Sequence, residues 1–135
     1  MNVIAAATRE SAPGPEQWFT GQVWMEELGA LPGSAPVRVL RVTFAPTART
    51  SWHTHPHGQV LHVLAGTARV QRDGGPVVEL STGDSVEFAP GERHWHGAAP
   101  TAVMSHLAVQ AADESGETTY WEEHVSDADY GTEGR

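Results

Sequence analysis

Residues 53–59 read His53-Thr54-His55-Pro56-His57-Gly58-Gln59, and a second pair, His94-Trp95-His96, follows later in the chain. Residues i and i+2 of an extended strand point to the same side, so His53 and His55 direct two imidazoles toward one point. The proline and glycine that follow permit a bend, after which Gln59 can return its side-chain oxygen to that point. His94 comes after a Pro-Gly turn, on a strand that we expect to lie opposite. The pattern predicts one divalent metal ion on His53, His55, Gln59 and His94.

Short strand-like runs surround these histidines, and Gly and Pro separate the runs at fairly regular spacing. This organisation is typical of an all-β sandwich or barrel. Both faces of 37–44 carry apolar residues, so we expect that strand to be covered on both sides, as in a barrel with an outer partner. The predicted strands are 18–25, 37–44, 58–65, 67–72, 77–80, 85–89, 94–98 and 103–110.

The length of 135 residues suits one compact domain. We expect residues 1–15, which contain two prolines and little periodicity, to form an N-terminal arm. Residues 16–125 form the predicted β-barrel domain, and residues 126–135 a C-terminal tail. Ser126 is expected to cap one helical turn in that tail.

Composition excludes several classes of function. The chain has no cysteine, so disulfides and thiolate metal sites are impossible, and any metal must bind to nitrogen and oxygen. A formal net charge of −9 disfavours binding to nucleic acid or to an anionic membrane. We find no run of about 18 apolar residues and no basic-then-apolar start, and we therefore expect a cytoplasmic protein.

Three imidazoles and one amide oxygen form a donor set without charge. Such a set suits manganese, iron, nickel, copper or zinc, with one or two positions left for water or a small-molecule substrate. The ion would keep its full double charge and act as a strong Lewis acid.

These segments resemble the two motifs of the cupin superfamily. His53 through Gly66 matches the first motif, with Thr47 in its leading glycine position and Gln59 where most members carry glutamate. Gly83, Gly91 and His94 match the second, with Ala89 and Ala98 in its proline and asparagine positions. The resemblance implies a single-domain cupin, a jelly-roll β-barrel. It also implies a homodimer or homotetramer, in which the N-terminal arm adds to a neighbour's sheet edge.

A closer resemblance is to small bacterial cupins with hydroxynitrile lyase activity, which are manganese-dependent. Four stretches carry it: 17–21, 48–56, 91–101 and 104–108. It implies reversible cleavage of a cyanohydrin to an aldehyde and cyanide, with His53, His55, Gln59 and His94 as ligands of manganese. His106 would lie close to the ion and act as the base, with a pKa near the ordinary value of about 6.5.

Strand alternation suggests which side chains line the substrate cavity. Met104, His106 and Gln110 share one strand face, and Leu40 and Val42 face the same space from another strand. A bulky Leu40 would narrow the room for an aromatic aldehyde. His96 is expected beside the metal or the substrate. The predicted substrate-binding residues are Leu40, Val42, His96, Met104 and Gln110.

The tryptophans beside the predicted ligands, Arg49 and three other histidines are not expected to bind the metal. Trp52 and Trp95 alternate with the predicted ligands and should pack away from the ion, each with a polar partner for its indole N–H. Arg49 is expected at the surface or paired with Glu87 or Glu92. His57, His62 and His124 are expected not to bind the metal.

Two other functions stay open at this stage. The first is a metal-dependent dioxygenase of the quercetinase-like cupin type, which the replacement of glutamate by Gln59 makes less favourable because iron oxygenases use a carboxylate. The second is a non-catalytic cupin that holds a small molecule or a metal.

Overall fold

The computed structural model describes residues 1–131, and within them nearly all regular structure is β. A short 3₁₀ turn, Ala6–Thr8, precedes the first strand. None of the described helices has the length and apolar composition that a membrane span requires. The described elements are β1 (Ala12–Pro13), β2 (Phe19–Thr20), β3 (Val23–Leu31), β4 (Val37–Phe44), β5 (Arg49–Thr50), β6 (His53–Thr54), β7 (Gln59–Ala65), β8 (Ala68–Arg72), β9 (Val78–Leu80), β10 (Ser85–Phe88), β11 (His94–Ala98), β12 (Met104–Ala111), β13 (Tyr120–Trp121) and α1 (Asp127–Tyr130).

Six strands form the first sheet, in the order β1-β3-β4-β12-β7-β10. Strands β4 and β12 pair antiparallel along their whole length, with Val42 opposite His106 and Leu40 opposite Ala108. Alternation in β4 buries Leu40, Val42 and Phe44, as a strand with one core-facing side requires.

The second sheet packs over the inner face of the first. Strand β11 lies at its centre and pairs with β8 on one side, and with β5 and β6 on the other. Every residue of β11 is buried. Gly97 is required there because a Cβ at this position would lie 2.4 Å from the carbonyl oxygen of Ala48. The two sheets are consistent with a jelly roll, so the predicted all-β fold is confirmed.

Two apolar clusters stabilise the sandwich. The main core lies between the sheets and includes Phe44 and Met104, both fully buried. The second cluster joins Trp52, Trp95 and Val125 to Tyr130 of α1. Trp95 donates its indole N–H to Gln71, as expected for a packed tryptophan beside a ligand. The C-terminal turn is thereby fastened to the back of β11.

The prediction for Arg49 is wrong. Its side chain is 5% exposed and donates to Asp127 and to the carbonyl oxygen of Val125, instead of lying at the surface or pairing with an acid near the barrel mouth. Tyr130 packs against its guanidinium, 4.7 Å from the ring centroid. The sequence placed these partners almost eighty residues apart, and no local pattern connects them.

The predicted single strand 18–25 is also wrong. Gly21 has a φ of 80° and divides this run into β2 and the start of β3, which belong to different sheets. A Cβ at Gly21 would lie 2.9 Å from the Cβ of Ala48, so only glycine allows the crossing. The other predicted strands agree with the structure to within one or two residues.

The N-terminal arm and the C-terminal tail each contain a short paired or helical element. Ala12 and Pro13 pair with β3 of the same chain, while most of the residues before them are exposed. Ser126 caps α1 by accepting a hydrogen bond from the Asp129 amide, which confirms the predicted helical turn. Residues 132–135 of the predicted tail lie outside the described residues.

Candidate metal centre

Three imidazoles converge where the two sheets approach each other. His53 in β6 and His94 at the start of β11 are direct cross-strand neighbours. Their ring centroids lie 4.4 Å apart, and the ring of His55 lies 4.9 Å from His53 and 5.3 Å from His94. All three side chains are buried, so the strand alternation and the bend after His55 do bring the predicted histidines together.

A backbone carbonyl orients each of these rings. The Nδ1 of His53 lies 2.8 Å from the oxygen of Ser51, and that of His94 lies 2.8 Å from the oxygen of Glu92. The Nδ1 of His55 lies 2.8 Å from the oxygen of Thr118. A carbonyl can only accept, so each Nδ1 carries the hydrogen and each Nε2 presents a lone pair. Histidines that bind a metal through Nε2 require this arrangement, in which Nδ1 donates to a fixed acceptor.

The amide of Gln59 completes the group. Its nitrogen donates to Gln110 Oε1 at 2.7 Å, which turns its own oxygen toward the histidines. That oxygen lies 3.1 Å from the Nε2 of His94. With Nδ1 of His94 protonated, two lone pairs face each other here without a hydrogen between them. The Nε2 of His55 is buried and has no hydrogen-bond partner among the described residues. A cation would satisfy all these acceptors, so the residues present fit a divalent metal ion.

His96 lies at the same centre. One ring nitrogen from each of His53, His94 and His96 lies within 4.8 Å of the others, a spacing that a single ion can bridge. The ring centroid of His96 lies 5.2 Å from that of His53 and 5.8 Å from that of His94. The structure therefore places four histidines and one glutamine around one point. His57, His62 and His124 lie outside it, with His62 bonded to Ser85 and His124 to the carbonyl of Glu16.

His106 lies behind His96. Its Nε2 is 2.9 Å from the Nδ1 of His96, so the two rings share one hydrogen. The other nitrogens, Nε2 of His96 and Nδ1 of His106, are buried without partners among the described residues. The ring of Phe44 packs against both imidazoles and keeps the pair dry.

Burial controls the protonation of the whole cluster. Desolvation lowers the pKa of His94 to about 3 and that of His106 to about 4. It also lowers the pKa of His53, His55 and His96, and neighbouring histidines lower those of His53 and His96 further. All five rings are neutral at neutral pH, and the ordinary pKa expected for His106 is wrong.

A small cavity of about 40 Å³ opens onto this centre. Its wall includes the predicted residues Leu40, Val42, His96 and Gln110, and no acidic side chain among residues 1–131 lines it. The predicted residues His106 and Met104 do not line this cavity. His106 lies behind His96, which separates it from the cavity, and Met104 packs in the main core. Six further residues line the cavity that were not predicted from the sequence: Phe19, Met25, Thr50, Ala108, Thr119 and Trp121.

Most of the missed residues have no detectable signal in the sequence. Trp121 lies in a two-residue strand, β13, and its ring lies 4.8 Å from that of His53. Thr118 contributes only a carbonyl oxygen. Ala108 is the exception, since it shares the strand face of His106 and Gln110. Phe88, also missed, stacks on His94 with centroids 3.6 Å apart.

Comparisons with known proteins agree with this fold. The cupin domain family matches residues 40–109. A curated protein of Granulicella tundricola, named (R)-mandelonitrile lyase, is 49% identical over 96% of this chain and 98% of its own length. A cupin-like protein from Thermotoga maritima superposes with a TM-score of 0.82 at 36% identity, covering 92% of this chain and 95% of that one. A cupin 2 conserved barrel domain protein from Rhodopseudomonas palustris gives 0.69 at 17% identity, covering 84% and 77%, which supports the fold alone. The chain belongs to the cupin family.

Proposed function

We propose that this cupin is a metal-dependent hydroxynitrile lyase that reversibly cleaves a cyanohydrin to an aldehyde and cyanide. The observation that carries the proposal is the uncharged cluster of His53, His55, Gln59 and His94 beside the paired rings of His96 and His106. The 49% identity to a protein named mandelonitrile lyase supports the same reaction. Manganese as the ion and the cytoplasm as the location are part of the proposal.

The donor set determines what a bound ion contributes. In the part of the chain that the structure describes, no carboxylate lines the cavity. A divalent ion held by His53, His55, Gln59 and His94 would therefore keep its charge and supply Lewis-acid stabilisation to an oxygen or to cyanide. The hydrogen bond from Gln59 to Gln110 keeps the amide oxygen turned toward the ring of His94.

His96 is placed to take the hydroxyl proton of the cyanohydrin. When its Nδ1 donates to Nε2 of His106, its own Nε2 carries a lone pair at the cavity wall. The substrate O–H donates its proton to that Nε2, the oxygen forms the carbonyl, and the carbon–carbon bonding pair leaves with cyanide. His106 stabilises the protonated His96 ring by accepting from Nδ1, and we assign it a positioning role.

The low proton affinity of this pair has a mechanistic consequence. A base whose pKa lies well below neutrality is fully unprotonated, but it removes a hydroxyl proton only if the hydroxyl is acidified. A divalent ion held by His53, His55, Gln59 and His94 would supply that acidification. Variants that no longer bind the metal ion are therefore expected to lose proton transfer as well.

Cleavage of mandelonitrile with and without oxygen tests the proposal. We expect the manganese-loaded protein to release benzaldehyde and cyanide at the same rate in both conditions. His106→Asn should retain the metal and lose most of its turnover, while His62→Asn, outside the site, should match the wild type. Oxygen uptake with a flavonol or diketone would instead indicate a dioxygenase. Absence of turnover in every assay would indicate a non-catalytic binder.

A further inference from the structure

Residues 113–121, termed the strap, lead from the end of β12 to the metal centre. The carbonyl oxygen of Thr118 lies 2.8 Å from Nδ1 of His55, and the hydroxyl oxygen of Thr119 lies 3.3 Å from the same nitrogen. Thr119 and Trp121 also line the cavity. The strap therefore gives one predicted ligand its hydrogen-bond acceptor and forms part of the cavity wall.

His55 depends on the strap, whereas the other two histidine ligands do not. His53 and His94 each donate to a carbonyl two residues earlier in the chain. The acceptor of His55 lies 63 residues later. The tautomer that leaves a lone pair on Nε2 of His55 therefore requires that the strap stays in position.

The side chain of Asp113 bonds to the strap at three points. Its Oδ1 accepts from the amides of Ser115 at 2.9 Å and Glu117 at 3.1 Å, and its Oδ2 accepts from the hydroxyl of Tyr120. The bond from Tyr120 in particular holds the pKa of Asp113 below its usual value, so the side chain is an ionised carboxylate. The three bonded residues lie on both sides of Thr118, which presents its carbonyl to the metal centre.

Asp113 is itself fixed by the six-stranded sheet. It lies two residues beyond the end of β12, and the amide of Ala112 donates to the carbonyl of Pro36 at 2.9 Å. The amide of Asp113 donates to the carbonyl of Glu117, also at 2.9 Å, which closes a tight loop. Residues 114–117 are exposed, so burial does not hold this loop in place. The hydrogen bonds of Asp113 therefore determine the course of the loop.

We infer that Asp113 is a positioning residue of the metal centre, which holds the strap so that the carbonyl of Thr118 can accept from His55. Without this carboxylate the loop can move away from the ring. The hydrogen of His55 can then reside on Nε2, the nitrogen that a metal ion needs unprotonated. The expected effect on metal affinity rests on the proposed function, whereas the tautomer of His55 is a property of the metal-free protein.

The tautomers of the imidazoles in the metal-free protein test the inference. Two-bond proton–nitrogen NMR spectra at pH 7 distinguish a ring protonated at Nδ1 from one protonated at Nε2. We expect His55 to carry its hydrogen on Nδ1 in the wild type and to show a mixture of both tautomers in Asp113→Ala. The rings of His53 and His94 should stay unchanged, because their acceptors lie outside the strap.

Two further variants separate the hydrogen bonds of Asp113 from general effects. Asp113→Asn keeps an oxygen that can accept from the loop amides, and should keep the wild-type tautomer of His55. Asp84→Ala removes a carboxylate that accepts from the amide of Ser81 in the turn between β9 and β10, and should leave all three rings unchanged.

Metal affinity gives a second readout that does not depend on turnover. Calorimetric titration of the metal-free protein with Mn²⁺ measures the dissociation constant. We expect Asp113→Ala to bind Mn²⁺ about tenfold more weakly than the wild type, as variants that lose an outer partner of a ligand do. Asp84→Ala should bind with the wild-type affinity.

Several results would overturn the inference. These are an unchanged His55 tautomer in Asp113→Ala, a simultaneous change at His53 and His94, an altered tautomer in Asp113→Asn, or an altered tautomer with unchanged Mn²⁺ affinity. A wild type that binds no Mn²⁺ contradicts the proposed function alone, since the tautomer still decides the role of Asp113. If Asp113→Ala does not fold, Tyr120→Phe removes only the hydroxyl bond and should shift His55 in the same direction by a smaller amount.

Discussion

Each predicted histidine ligand is oriented by a hydrogen bond at Nδ1, which leaves its Nε2 available to a metal ion. His53 and His94 each donate to a carbonyl two residues earlier, while His55 donates to Thr118, which is remote in sequence. The two local bonds each reach back only two residues, so the local course of the strands determines them. The third depends on a loop whose path no periodicity reveals. The predicted ligands could thus be found from sequence, but not the bonds that orient them.

Thr47 adopts a backbone conformation that its residue type disfavours. It occupies the leading glycine position of the first motif and adopts a φ of 70°, a left-handed conformation that β-branched residues disfavour. We expect Thr47→Gly to raise the free energy of unfolding by about 1 kcal/mol, because relief of strain exceeds the added entropy of the unfolded chain. Urea denaturation measures the change. Thr47→Ala is the control; a larger gain in the control than in Thr47→Gly would contradict the argument.

Leu40 is expected to limit substrate size. Its side chain lines the 40 Å³ cavity and is 5% exposed. We predict that Leu40→Ala increases the rate with aromatic relative to small aliphatic cyanohydrins, and lowers the free energy of unfolding by about 2–4 kcal/mol. Ratios of kcat/KM for the two substrate classes measure the first effect.

Leu61→Ala is the matched control for this cavity. Leu61 is buried in the same core but does not line the cavity, so its truncation should cost similar stability. Its ratio of aromatic to aliphatic rates should equal that of the wild type. If both variants change the ratio equally, general loosening of the core accounts for the effect.

Elements position the site through contacts between the two sheets. Strand β4 has the bounds that the sequence predicted, because its alternation and its flanking turns agree. Strands β5, β6 and β13 have two residues each, too few to show any period. The hydrogen bond between His96 and His106 joins the two sheets, and its existence depends on how closely they pack. The long elements were therefore predictable from the sequence, whereas the contacts between them were not.

Helix α1 is expected to contribute stability without contributing to the site. Tyr130 donates its hydroxyl to the carbonyl of Ala98 at 2.6 Å, and its ring lies between Arg49 and Arg69. Tyr130→Phe leaves that buried carbonyl without its donor and should lower the free energy of unfolding by about 1–2 kcal/mol. Metal content and turnover should stay at wild-type values. Loss of metal in this variant would show that α1 is coupled to the centre.

For the whole molecule, buried neutral histidines make stability depend on pH. In the unfolded chain these groups titrate near 6.5, whereas in the folded, metal-free protein the pKa is about 3 for His94 and about 4 for His106. Between about pH 6.5 and 4 the unfolded state binds more protons, so the free energy of unfolding decreases as the pH falls. Each of the two groups contributes on the order of 3 kcal/mol to this decrease in the free energy of unfolding.

Urea denaturation of the metal-free protein at pH 7 and pH 5 measures this dependence. We expect clearly lower stability at pH 5, and a smaller difference in His106→Asn, which removes one buried titrating ring. Stability that is unchanged between the two pH values would show that the rings are already charged in the folded protein.

The central claim is that His53, His55, Gln59 and His94 hold one divalent ion. Its most direct test is the metal content of purified protein by elemental analysis, compared between the wild type, His53→Ala and His124→Ala, whose ring binds the Glu16 carbonyl away from the site. We expect one equivalent of a transition metal in the wild type and in His124→Ala, and almost none in His53→Ala. A wild type that retains no metal, or a His53→Ala variant that keeps a full equivalent, would contradict it.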